Sequence, residues 1–396
     1  MDNKNYSILI VCIYGIPSHI DRFIRNLKKT NPSVSITLFS NKSKKWFSEE
    51  MLDCLDAFIQ KKNKYSGWAN RLSWLGNIID HYACVRQLNE LSKTHHYDIV
   101  NIHFPQYFMC HVMRAFRKMS SSIIVSPWGS DVLRLERKGK RRKLAQVFRK
   151  ADYVTAGKTG NIGGTLINEM GIDEDKFCPL GWGSETIDYI NEHVSEVSTE
   201  RAKELLNLEG KYLITCGYNA FEEQRHEIII DAIENKRKDL PANLLLLFPV
   251  TYGSAFGNKK QVYVERLKKR CSELDVPAMF YENYLSVSDL FLLRRATDMF
   301  IHIQPTDAGN SSLQEYVLCG KKVVHGSWVH YDNLEKYQPL FYYPVNEIDE
   351  LGNVIVNAYN SDPIIVPEQV MDKIRDRGWK AKMKLWDDFF ISCVRN

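Results

Sequence analysis

The chain has 396 residues, of which 44% are hydrophobic, and a formal net charge of +5. At about 100–200 residues per domain this length predicts two domains, and no apolar run approaches the roughly 20 residues of a membrane span. The nine cysteines include no close pair, which argues against a disulfide framework or a zinc site and favours reduced core thiols. The N-terminus passes directly into a strand-like run, so we expect a mature start without a signal peptide and a cytoplasmic protein.

The first half of the chain alternates strand-like and helix-like segments. The run Tyr6–Tyr14 is almost continuously apolar, which is typical of a parallel strand buried on both faces, and helical spacing follows over Ile20–Leu27. Further strands are predicted at Ser35–Phe39, Asp98–His103, Ser122–Ser126, Tyr153–Ala156 and Lys176–Leu180. A helix is predicted at Asn161–Met170. This alternation predicts βαβ units and a doubly wound parallel sheet.

A second alternating pattern starts at Lys211–Gly217, after the polar, glycine-free stretch Asp188–Asn207. The helices and strands predicted after it are Glu227–Asn235, Asn243–Val250, Val262–Leu274, Ala278–Tyr281, Val287–Ala296 and Met299–Ile303. We therefore predict a Rossmann-like domain at 1–190, a linker at 191–210 and a second Rossmann-like domain at 211–370. Residues 371–396 are predicted to form a C-terminal helix that packs back toward the first domain.

The run from Thr306 to Val324 is the most informative stretch of the chain. Asp307 and Glu315 stand eight positions apart in it. The small and hydroxyl-bearing residues between them are Gly309, Asn310, Ser311 and Ser312. A helix beginning near Asn310 or Ser311 would expose unpaired backbone N–H groups, which suit a phosphate, with Glu315 one turn in and within reach of a ribose. The alternative is an ordinary, well-capped helix of a βαβ unit.

Other candidate site residues follow predicted strands, because ligands of open α/β sheets bind beyond the carboxyl ends of the strands. In the first half these residues are Gly15, Ser18, His19, His103, Gly129 and Asp131. In the second half they are Asn219, Arg225, His226, Tyr252 and Gly253. For each one a structural role is the alternative: His103 as a satisfied core histidine, Asp131 as a helix N-cap, and Arg225 as an exposed helix-start residue.

Positive charge is concentrated in Arg134–Lys150. The apolar residues that could form a stripe beside it are Leu133, Leu135, Leu144, Val147 and Phe148. A basic amphipathic helix indicates an anionic membrane surface or an anionic acceptor, and a solvated helix face is the alternative. Neither an aromatic-interleaved RNA motif nor a zinc finger accompanies the patch, so we expect no nucleic-acid partner.

The sequence offers little support for a bound cofactor or metal. It contains no Walker loop, no Gly-x-Gly-x-x-Gly fingerprint and no serine nucleophile elbow. The one acidic cluster that could bind a metal, Asp173–Asp175, lies in a polar, surface-like segment and is predicted to be a turn or a helix start. We therefore expect no cofactor and no metal.

Together these motifs resemble GT-B glycosyltransferases, most closely family four. Asp307, seven further residues, Glu315 and then Cys319–Val324 are similar to that family's Glu-x7-Glu motif and the stretch after it. Tyr97–His103 and Ser126–Asp131 are similar to its first-domain strand and loop. The resemblance implies two Rossmann-like doubly wound parallel-sheet domains facing across a cleft, with the nucleotide sugar in the second.

By the same resemblance Glu315 accepts the ribose hydroxyls. Asp307, with the backbone of Gly309–Ser311, holds the transferred sugar and the β-phosphate. Gly15, Ser18 and His19, together with Trp128 and Gly129, form the acceptor and phosphate loop; Trp128 stands where a histidine is common in the family.

The chain departs from family four at the positions that contact the diphosphate, and some of its motifs resemble a family with the opposite stereochemistry. Family four has an arginine and a lysine where this chain has Tyr218 and Gln224, so the cationic role would fall to Arg225, His226 or Lys259. The pattern Asn219…His226, the turn Pro249–Gly253 and the pair Gly309–Asn310 instead resemble the fucosyl-aminosugar transferases of family fifty-six. Family four retains the anomeric configuration, whereas family fifty-six inverts it.

The sequence thus predicts a metal-independent, retaining transferase that moves a hexosyl or acetamidohexosyl group from a UDP-sugar to a lipid-linked or surface-polysaccharide acceptor of the cell envelope. Asp307 would serve at the catalytic centre. An inverting transferase with His103, His19 or Asp131 as the base is one alternative. A non-catalytic GT-B partner subunit is another, and a sugar-nucleotide epimerase is a third. The basic patch predicts a peripheral position on the inner face of the cell membrane.

Overall fold

A computed structural model describes residues 5–61, 73–135, 137–158, 160–253, 258–307, 311–331, 334–337 and 340–395. The chain divides into two compact units. Unit 1 comprises Met1–Trp182 and Lys380–Asn396, and unit 2 comprises Gly183–Trp379.

Unit 1 is built on a parallel sheet that has six strands within its described residues. The strands are β1 (Ser7–Cys12), β2 (Ser35–Ser40), β3 (Ala57–Gln60), β4 (Ile99–His103), β5 (Ser122–Ser126) and β6 (Tyr153–Val154). Their order is β3-β2-β1-β4-β5-β6, and every pairing is parallel. The chain therefore leaves β1 toward one edge and returns to its other side at β4, which is the switch point where such sheets bind ligands.

Unit 2 repeats this plan, again with six parallel strands among the residues that the structure describes. The strands are β7 (Tyr212–Cys216), β8 (Leu244–Pro249), β9 (Ala278–Tyr281), β10 (Met299–His302), β11 (Lys322–Gly326) and β12 (Tyr343–Val345). Their order is β12-β11-β10-β7-β8-β9, so β7 and β10 are the counterparts of β1 and β4.

The helices lie between the strands and after the last of them. They are α1 (Pro17–Thr30), α2 (Glu49–Asp53), α3 (Ser73–Leu91), α4 (Met113–Met119), α5 (Ser130–Leu133), α6 (Lys138–Lys150), α7 (Gly160–Gly164), α8 (Glu185–His193), α9 (Thr199–Leu205), α10 (His226–Asn235), α11 (Lys259–Glu273), α12 (Val287–Ala296), α13 (Ser312–Leu318), α14 (Leu351–Asn360), α15 (Glu368–Arg375) and α16 (Trp379–Arg395).

Alternate strand residues pack against helices on opposite faces of each sheet. In β7, Ile214 joins a core with α10, α11 and α14, whereas its neighbour Leu213 joins one with α9 and α12. In β10, Ile301 and Phe300 divide in the same way. Apolar residues at every position of a strand are therefore needed, which explains the continuous apolar runs in the sequence. The predicted doubly wound α/β architecture is confirmed.

The C-terminal helix α16 completes the core of unit 1. The Tyr6 hydroxyl donates to Asp387 at 2.8 Å, the Ser122 hydroxyl donates to the Cys393 carbonyl at 2.9 Å, and the Trp386 ring lies 5.0 Å from the Phe23 ring. In unit 2 the stretch 191–210, predicted as a linker, contains α9, whose Ala202 is buried against α12.

Three local predictions differ from the structure. Lys176–Leu180 is not a strand: Phe177 makes one isolated bridge to Val154, after a short 3-10 turn. That turn is the predicted one at Asp173–Asp175, where the Asp173 carboxylate accepts from the Asp175 backbone N–H. The predicted helix Asn161–Met170 starts at Gly160 and changes to a π-helix over Thr165–Glu169. The short edge strands β3 and β12 were missed, because an edge strand needs little apolar sequence.

Candidate functional site

Glu315 lies at the centre of the polar region that follows β10 in unit 2. It stands in the first turn of α13, and its side chain is only 4% exposed. Oε1 accepts from the Ser311 hydroxyl at 2.8 Å and from the Ser184 hydroxyl at 3.2 Å, while Oε2 accepts from Nε of Arg294 at 3.2 Å. The predicted helix start is close to the observed one. However, the Ser311 hydroxyl binds the Glu315 side chain and does not cap the backbone.

Arg294, which the sequence analysis missed, is the buried cation of this region. Its side chain is as buried as that of Glu315, and its Nη1 donates to the Tyr316 hydroxyl at 3.1 Å. Burial by itself would lower the pKa of Arg294, but Tyr316 and Glu315 reverse this effect and raise the pKa. A buried carboxylate normally needs such a partner, and the Arg294 guanidinium fixes the orientation of Glu315.

Asp307 follows β10 and lies among side chains that the sequence analysis did not select. Its Oδ2 accepts from the Tyr331 hydroxyl at 2.8 Å and lies 3.5 Å from Nε2 of His302. His302 in turn has its Nδ1 3.0 Å from Nδ1 of His325. The adjacent predicted residues Gly309 and Asn310 lie outside the described residues, so their proposed contacts to a phosphate remain predictions.

Ser312, the other predicted residue of this loop, begins α13. Ser312 and Glu315 are the first and fourth residues of α13, so both lie in its first turn.

The loop after β7 holds the residues expected to meet a diphosphate. Gln224 is buried, and its Nε2 donates to Oε1 of Gln304 at 2.6 Å. Asn219 is also buried, and its Oδ1 accepts from the Phe221 backbone N–H at 2.9 Å. Both side chains therefore shape the loop and carry no charge.

Arg225 is the half-buried cation of this loop. It has a left-handed backbone, with φ 57°, which a non-glycine residue adopts at a cost of about 1–2 kcal/mol. Its Nη1 donates to the Ile303 carbonyl at 3.3 Å, and its guanidinium lies 5.7 Å from the Trp328 ring centroid. The indole of Trp328 is itself fixed by a 2.8 Å bond to the Gln304 carbonyl.

His226 does not provide a second cation in this structure. It is fully buried, its Nδ1 lies 3.0 Å from the Tyr263 hydroxyl, and burial lowers its pKa to about 3. Lys259 is exposed at the start of α11. Of the three residues predicted for the cationic role, Arg225 alone is positioned by its neighbours at the end of β10.

Tyr252 and Gly253 lie next to the same loop. The Tyr252 carbonyl accepts from the Ala220 backbone N–H at 2.6 Å, and Gly253 forms an isolated bridge with Ala220. A Cβ on Gly253 would lie 2.9 Å from the Ala220 carbonyl oxygen, so the close approach of two backbones requires glycine there. The Tyr252 side chain is exposed.

In unit 1 the region after β1 and β4 is aromatic. His103, the last residue of β4, is fully buried among the rings of Phe23, Trp128, Trp182 and Trp386, with ring centroids 4.8–6.3 Å away. Within the described residues neither ring nitrogen has a hydrogen-bond partner, and burial lowers the pKa of His103 to about 3. In this state His103 is neutral and inaccessible to a substrate hydroxyl.

His19 and Gly15 border the same aromatic cluster. The imidazole of His19 is exposed and stacks on Trp128 at 5.2 Å. A Cβ on Gly15 would lie 2.8 Å from the Trp128 ring, so the loop after β1 passes close under this indole only because it has glycine. Ser18 is exposed in the first turn of α1.

Asp131 has the clearest acid–base character in unit 1. It is not the N-cap of α5, which is Gly129; its Oδ1 accepts from the backbone N–H groups of Trp128 at 3.0 Å and Gly129 at 2.8 Å. Burial raises the pKa of Asp131 to about 7, and Oδ2 has no partner among the described residues. A carboxyl group with a pKa near neutrality is suited to proton transfer.

Comparison with known structures shows a shared fold. No model of a protein family matches the chain, and no curated protein matches it in sequence. A glycosyltransferase from Rickettsia africae superimposes with a TM-score of 0.74 at 14% identity over 99% of both chains. Anabaena Alr3699/HepE, crystallised with UDP and glucose, gives 0.68 at 17% identity over 98% of this chain and all of its own. The galactosyltransferase WaaB gives 0.64 at 13% identity over 98% and 99% of the two chains. The chain has the GT-B glycosyltransferase fold.

Some residues of this region have a signal in the sequence, and others reach it only through tertiary packing. The strand-end rule that selected His103 in β4 also applies to His302 in β10, so a signal for His302 was present in the sequence. Arg294 and Ser184 carried no such signal. They come from α12 and from the residue before α8, and their approach to Glu315 depends on tertiary packing.

The basic patch lies on α6 and the residues before it. The apolar residues Leu144, Val147 and Phe148 are buried in the core of unit 1, so they are not free to enter a bilayer. Leu133 remains exposed, and Arg142 and Lys143 point away from the core. Glu136 of the patch lies outside the described residues. Any surface contact of this helix would therefore be mainly electrostatic.

The described residues also bear on membrane insertion and metal binding. None of the helices they form combines the length and apolar character needed to cross a membrane. No group of three or more His, Cys, Asp or Glu side chains among them is placed to hold a metal ion. Metal independence remains a prediction.

Proposed function

We propose that this protein is a glycosyltransferase that transfers a sugar from a UDP-sugar to a lipid-linked or surface-polysaccharide acceptor. The observation that carries the proposal is the anchored Glu315 carboxylate at the carboxyl end of β10. In unit 2 it would accept the ribose hydroxyls of the donor. The GT-B fold supports the proposal, and the UDP complex of Alr3699/HepE motivates the choice of nucleotide.

The hydrogen bonds of Glu315 match this role. Arg294 holds Oε2, whereas the two donors to Oε1 are neutral serine hydroxyls, Ser311 and Ser184. A ribose diol presents the same kind of donor and could replace a serine hydroxyl without leaving a buried charge unpaired. A site built for hydroxyl donors would discriminate strongly against a deoxyribose, because a buried acceptor would lose its partner.

The negative charge that develops on the leaving diphosphate needs a cation. Arg225 meets this need in the proposal, since its guanidinium is held by Ile303 and Trp328 and can bind phosphate oxygens in a bidentate manner. The reaction as proposed is therefore independent of a metal. Asp307 would bind the transferred sugar, as a carboxyl group beside the same strand end.

We propose retention of the anomeric configuration as the primary mechanism. The acceptor hydroxyl would attack from the face of the leaving group and pass its proton to a phosphate oxygen, so no protein base is required. Inversion is the second candidate, and one observation favours it: Oδ2 of Asp131 has no hydrogen-bond partner among the described residues, and the pKa of this carboxyl is about 7. His103 is less suited to be the base because its ring is enclosed.

Donor binding is the first test. A thermal-shift panel of UDP-, GDP- and dTDP-sugars should show stabilisation by the UDP-sugar alone, since a ligand that binds the native state raises its stability by mass action. Glu315→Gln should remove that shift while keeping the side-chain shape. If no nucleotide sugar binds or is hydrolysed and Glu315→Gln changes nothing, the protein is a non-catalytic GT-B chain.

Product analysis separates the two mechanisms. NMR of the glycoside formed should give the anomeric configuration of the donor. An inverted product, together with loss of turnover in Asp131→Asn, would replace the retaining proposal by the inverting one. Release of an epimerised sugar nucleotide without any acceptor would replace both by an epimerase.

The cationic face of α6 is proposed to contact an anionic membrane surface. Flotation with vesicles rich in anionic lipid should carry the protein at low salt and release it at high salt. Arg142→Glu/Lys143→Glu should abolish flotation, whereas the control Lys238→Glu/Lys269→Glu makes the same change of charge on exposed residues of unit 2. Equal binding by both variants would refute a role for this face.

A further inference from the structure

The carboxylate proposed to accept the ribose is covered in this structure. The Glu315 side chain is only 4% exposed, so a sugar can reach it only after a neighbouring group has moved. A carboxylate has about four acceptor positions, two on each oxygen. On Oε1 both positions are filled, by the hydroxyls of Ser311 and Ser184, whereas Oε2 accepts from Nε of Arg294. A ribose diol that places one hydroxyl on each oxygen must therefore displace a donor from Oε1.

The two serine hydroxyls on Oε1 are held with different firmness. Ser311 lies 2.8 Å from Oε1, and its carbonyl accepts from the Glu315 backbone N–H at 2.9 Å, so both ends of this contact belong to one helical turn. Ser184 lies 131 positions from Glu315 in the sequence. Its 3.2 Å distance from Oε1 exceeds the usual range of about 2.5–3.0 Å for an O–H···O bond. Ser184 is therefore the more weakly bound of the two.

Ser184 can leave Oε1 while its backbone stays in place. Its N–H donates to the Arg377 carbonyl at 2.9 Å, and the residue forms an isolated bridge with Gly378. Its side chain is the N-cap of α8, where Oγ accepts from the Ile187 backbone N–H at 3.3 Å. Rotation about the Cα–Cβ bond to another staggered position takes the hydroxyl away from both partners. The Ile187 amide therefore reports whether Ser184 has moved.

We infer that Ser184 competes with the donor ribose for Oε1 of Glu315: its hydroxyl bonds the carboxylate in the free protein and leaves when the ribose binds. This inference rests on the proposed function, since it requires Glu315 to receive a ribose diol. Ser184 then keeps a buried carboxylate hydrogen-bonded while the site is empty. It also lowers the affinity for the donor, because the ribose replaces a bond that already exists.

A glycine at position 184 tests the competition. Ser184→Gly removes the hydroxyl and keeps a residue type that is well tolerated at an N-cap. The matched control is Ser198→Gly, because Ser198 is the N-cap of α9 and its hydroxyl accepts from the Arg201 N–H at 3.0 Å. Isothermal titration of the full-length protein with UDP should give a Kd about five- to tenfold lower for Ser184→Gly than for the wild type. The Kd of Ser198→Gly should stay within about twofold of the wild type.

A second ligand shows whether the gain comes from the ribose. The analogue 2′,3′-dideoxy-UDP keeps the base and the diphosphate but has no diol to donate to Glu315. Its Kd should therefore be the same for the wild type and Ser184→Gly within about twofold. A merely structural effect of the glycine would change the Kd of both ligands equally. With the UDP-sugar, Ser184→Gly should lower KM with little change in kcat, since the hydroxyl affects binding and not the chemical step.

The wild-type protein gives an independent measurement. In the full-length protein labelled with ¹⁵N-isoleucine, UDP should speed the hydrogen exchange of the Ile187 amide, because that N–H loses its bond to the Ser184 hydroxyl. The analogue 2′,3′-dideoxy-UDP should leave this exchange unchanged. Ile190, in the middle of the same helix, is the reference signal and should respond to neither ligand. This measurement decides the matter even if Ser184→Gly folds poorly.

The outcomes separate this inference from the proposed function. If the wild type binds neither UDP nor a UDP-sugar, the proposed function fails and the competition fails with it. If the wild type binds UDP but Ser184→Gly binds it equally or more weakly, the competition alone is refuted, and Ser184 is either a bystander or a direct contact of the ribose. An equal gain for UDP and 2′,3′-dideoxy-UDP would also overturn the inference, as would an Ile187 amide that does not respond to UDP.

Discussion

Two histidines at equivalent places in the two units have opposite surroundings. His103 ends β4 and His302 ends β10, and each of these strands pairs in parallel with the first strand of its own unit. His103 is enclosed by aromatic rings and lacks a polar partner among the described residues. His302 belongs to a row of polar groups that ends at Asp307.

The difference shows that topology selects a position and that the neighbouring side chains select its chemistry. Both histidines lie at the switch point of a parallel sheet, where ligands of such folds bind. In unit 2 the neighbours are carboxylates, arginines and tyrosine hydroxyls, so the region can hold charge. In unit 1 they are mainly tryptophan and phenylalanine, and a carboxyl group there, that of Asp131, has its pKa raised by burial.

The largest effect is expected from breaking the ion pair of unit 2. Glu315→Ala should lower the free energy of unfolding by about 3–5 kcal/mol, because the Arg294 guanidinium would remain buried without its anion. Denaturant unfolding measures this loss. The control Arg294→Met/Glu315→Leu removes both charges and should recover most of the stability. An equal loss in the single and double variants would mean that packing and not charge holds this region together.

The next effect is a dependence on pH in unit 1. The pKa of His103 is about 3 in the folded chain and near 6.5 in the unfolded one, so the unfolded chain binds one more proton between these values. Stability should therefore fall as the pH drops below 6.5, by about 2 kcal/mol for this ring at pH 5. His103→Phe should remove that part of the pH dependence. An unchanged slope would show that the pKa of His103 in the folded protein is close to its value in the unfolded chain.

The sequence predicted the fold well because the evidence for it is local. Each buried parallel strand is apolar throughout, as in Ser122–Ser126, whose predicted bounds agree with those of β5. The helix at Val287–Ala296 was also predicted at its observed bounds; in the structure Ser286 and Asp289 form a capping box at its start. The edge strands β3 and β12 have weaker patterns and were missed, although the edge strand β9 was predicted at its observed bounds.

The site was predicted less completely because its contacts join distant parts of the chain. Glu315 and Asp307 follow from spacing within one loop, whereas Arg294 and Ser184 lie 21 and 131 positions from Glu315. The burial of His226 could not be read from the sequence either. An arginine and a histidine at the start of a helix look alike in sequence, but His226 faces the core and Arg225 does not.

A further effect, of about the same size, should separate the two equivalent histidines at pH 8. His302→Phe should destabilise the chain by about 1–3 kcal/mol, because Nδ1 of His325 loses a partner in a buried site. His103→Phe should be neutral or slightly stabilising, because it removes ring nitrogens that have no partner among the described residues. Comparable losses in both variants would imply that His103 has a polar partner in solution, such as a bound water.

The smallest change in stability is expected at Arg225, which has a strained backbone and is the cation proposed to bind the diphosphate. Its left-handed backbone costs about 1–2 kcal/mol for a residue with a Cβ. Glycine removes this strain, but it loses more conformational freedom on folding, so the two effects partly cancel. Arg225→Gly should therefore alter the unfolding free energy by less than about 1 kcal/mol. Phe104→Gly, at φ 54° directly after His103, is the matched change in unit 1 and should leave donor binding intact. Arg225→Gly should instead abolish the thermal shift given by a UDP-sugar, because the guanidinium beside Trp328 is lost. If the shift survived, the strain at Arg225 would be structural, and the diphosphate would need another cation.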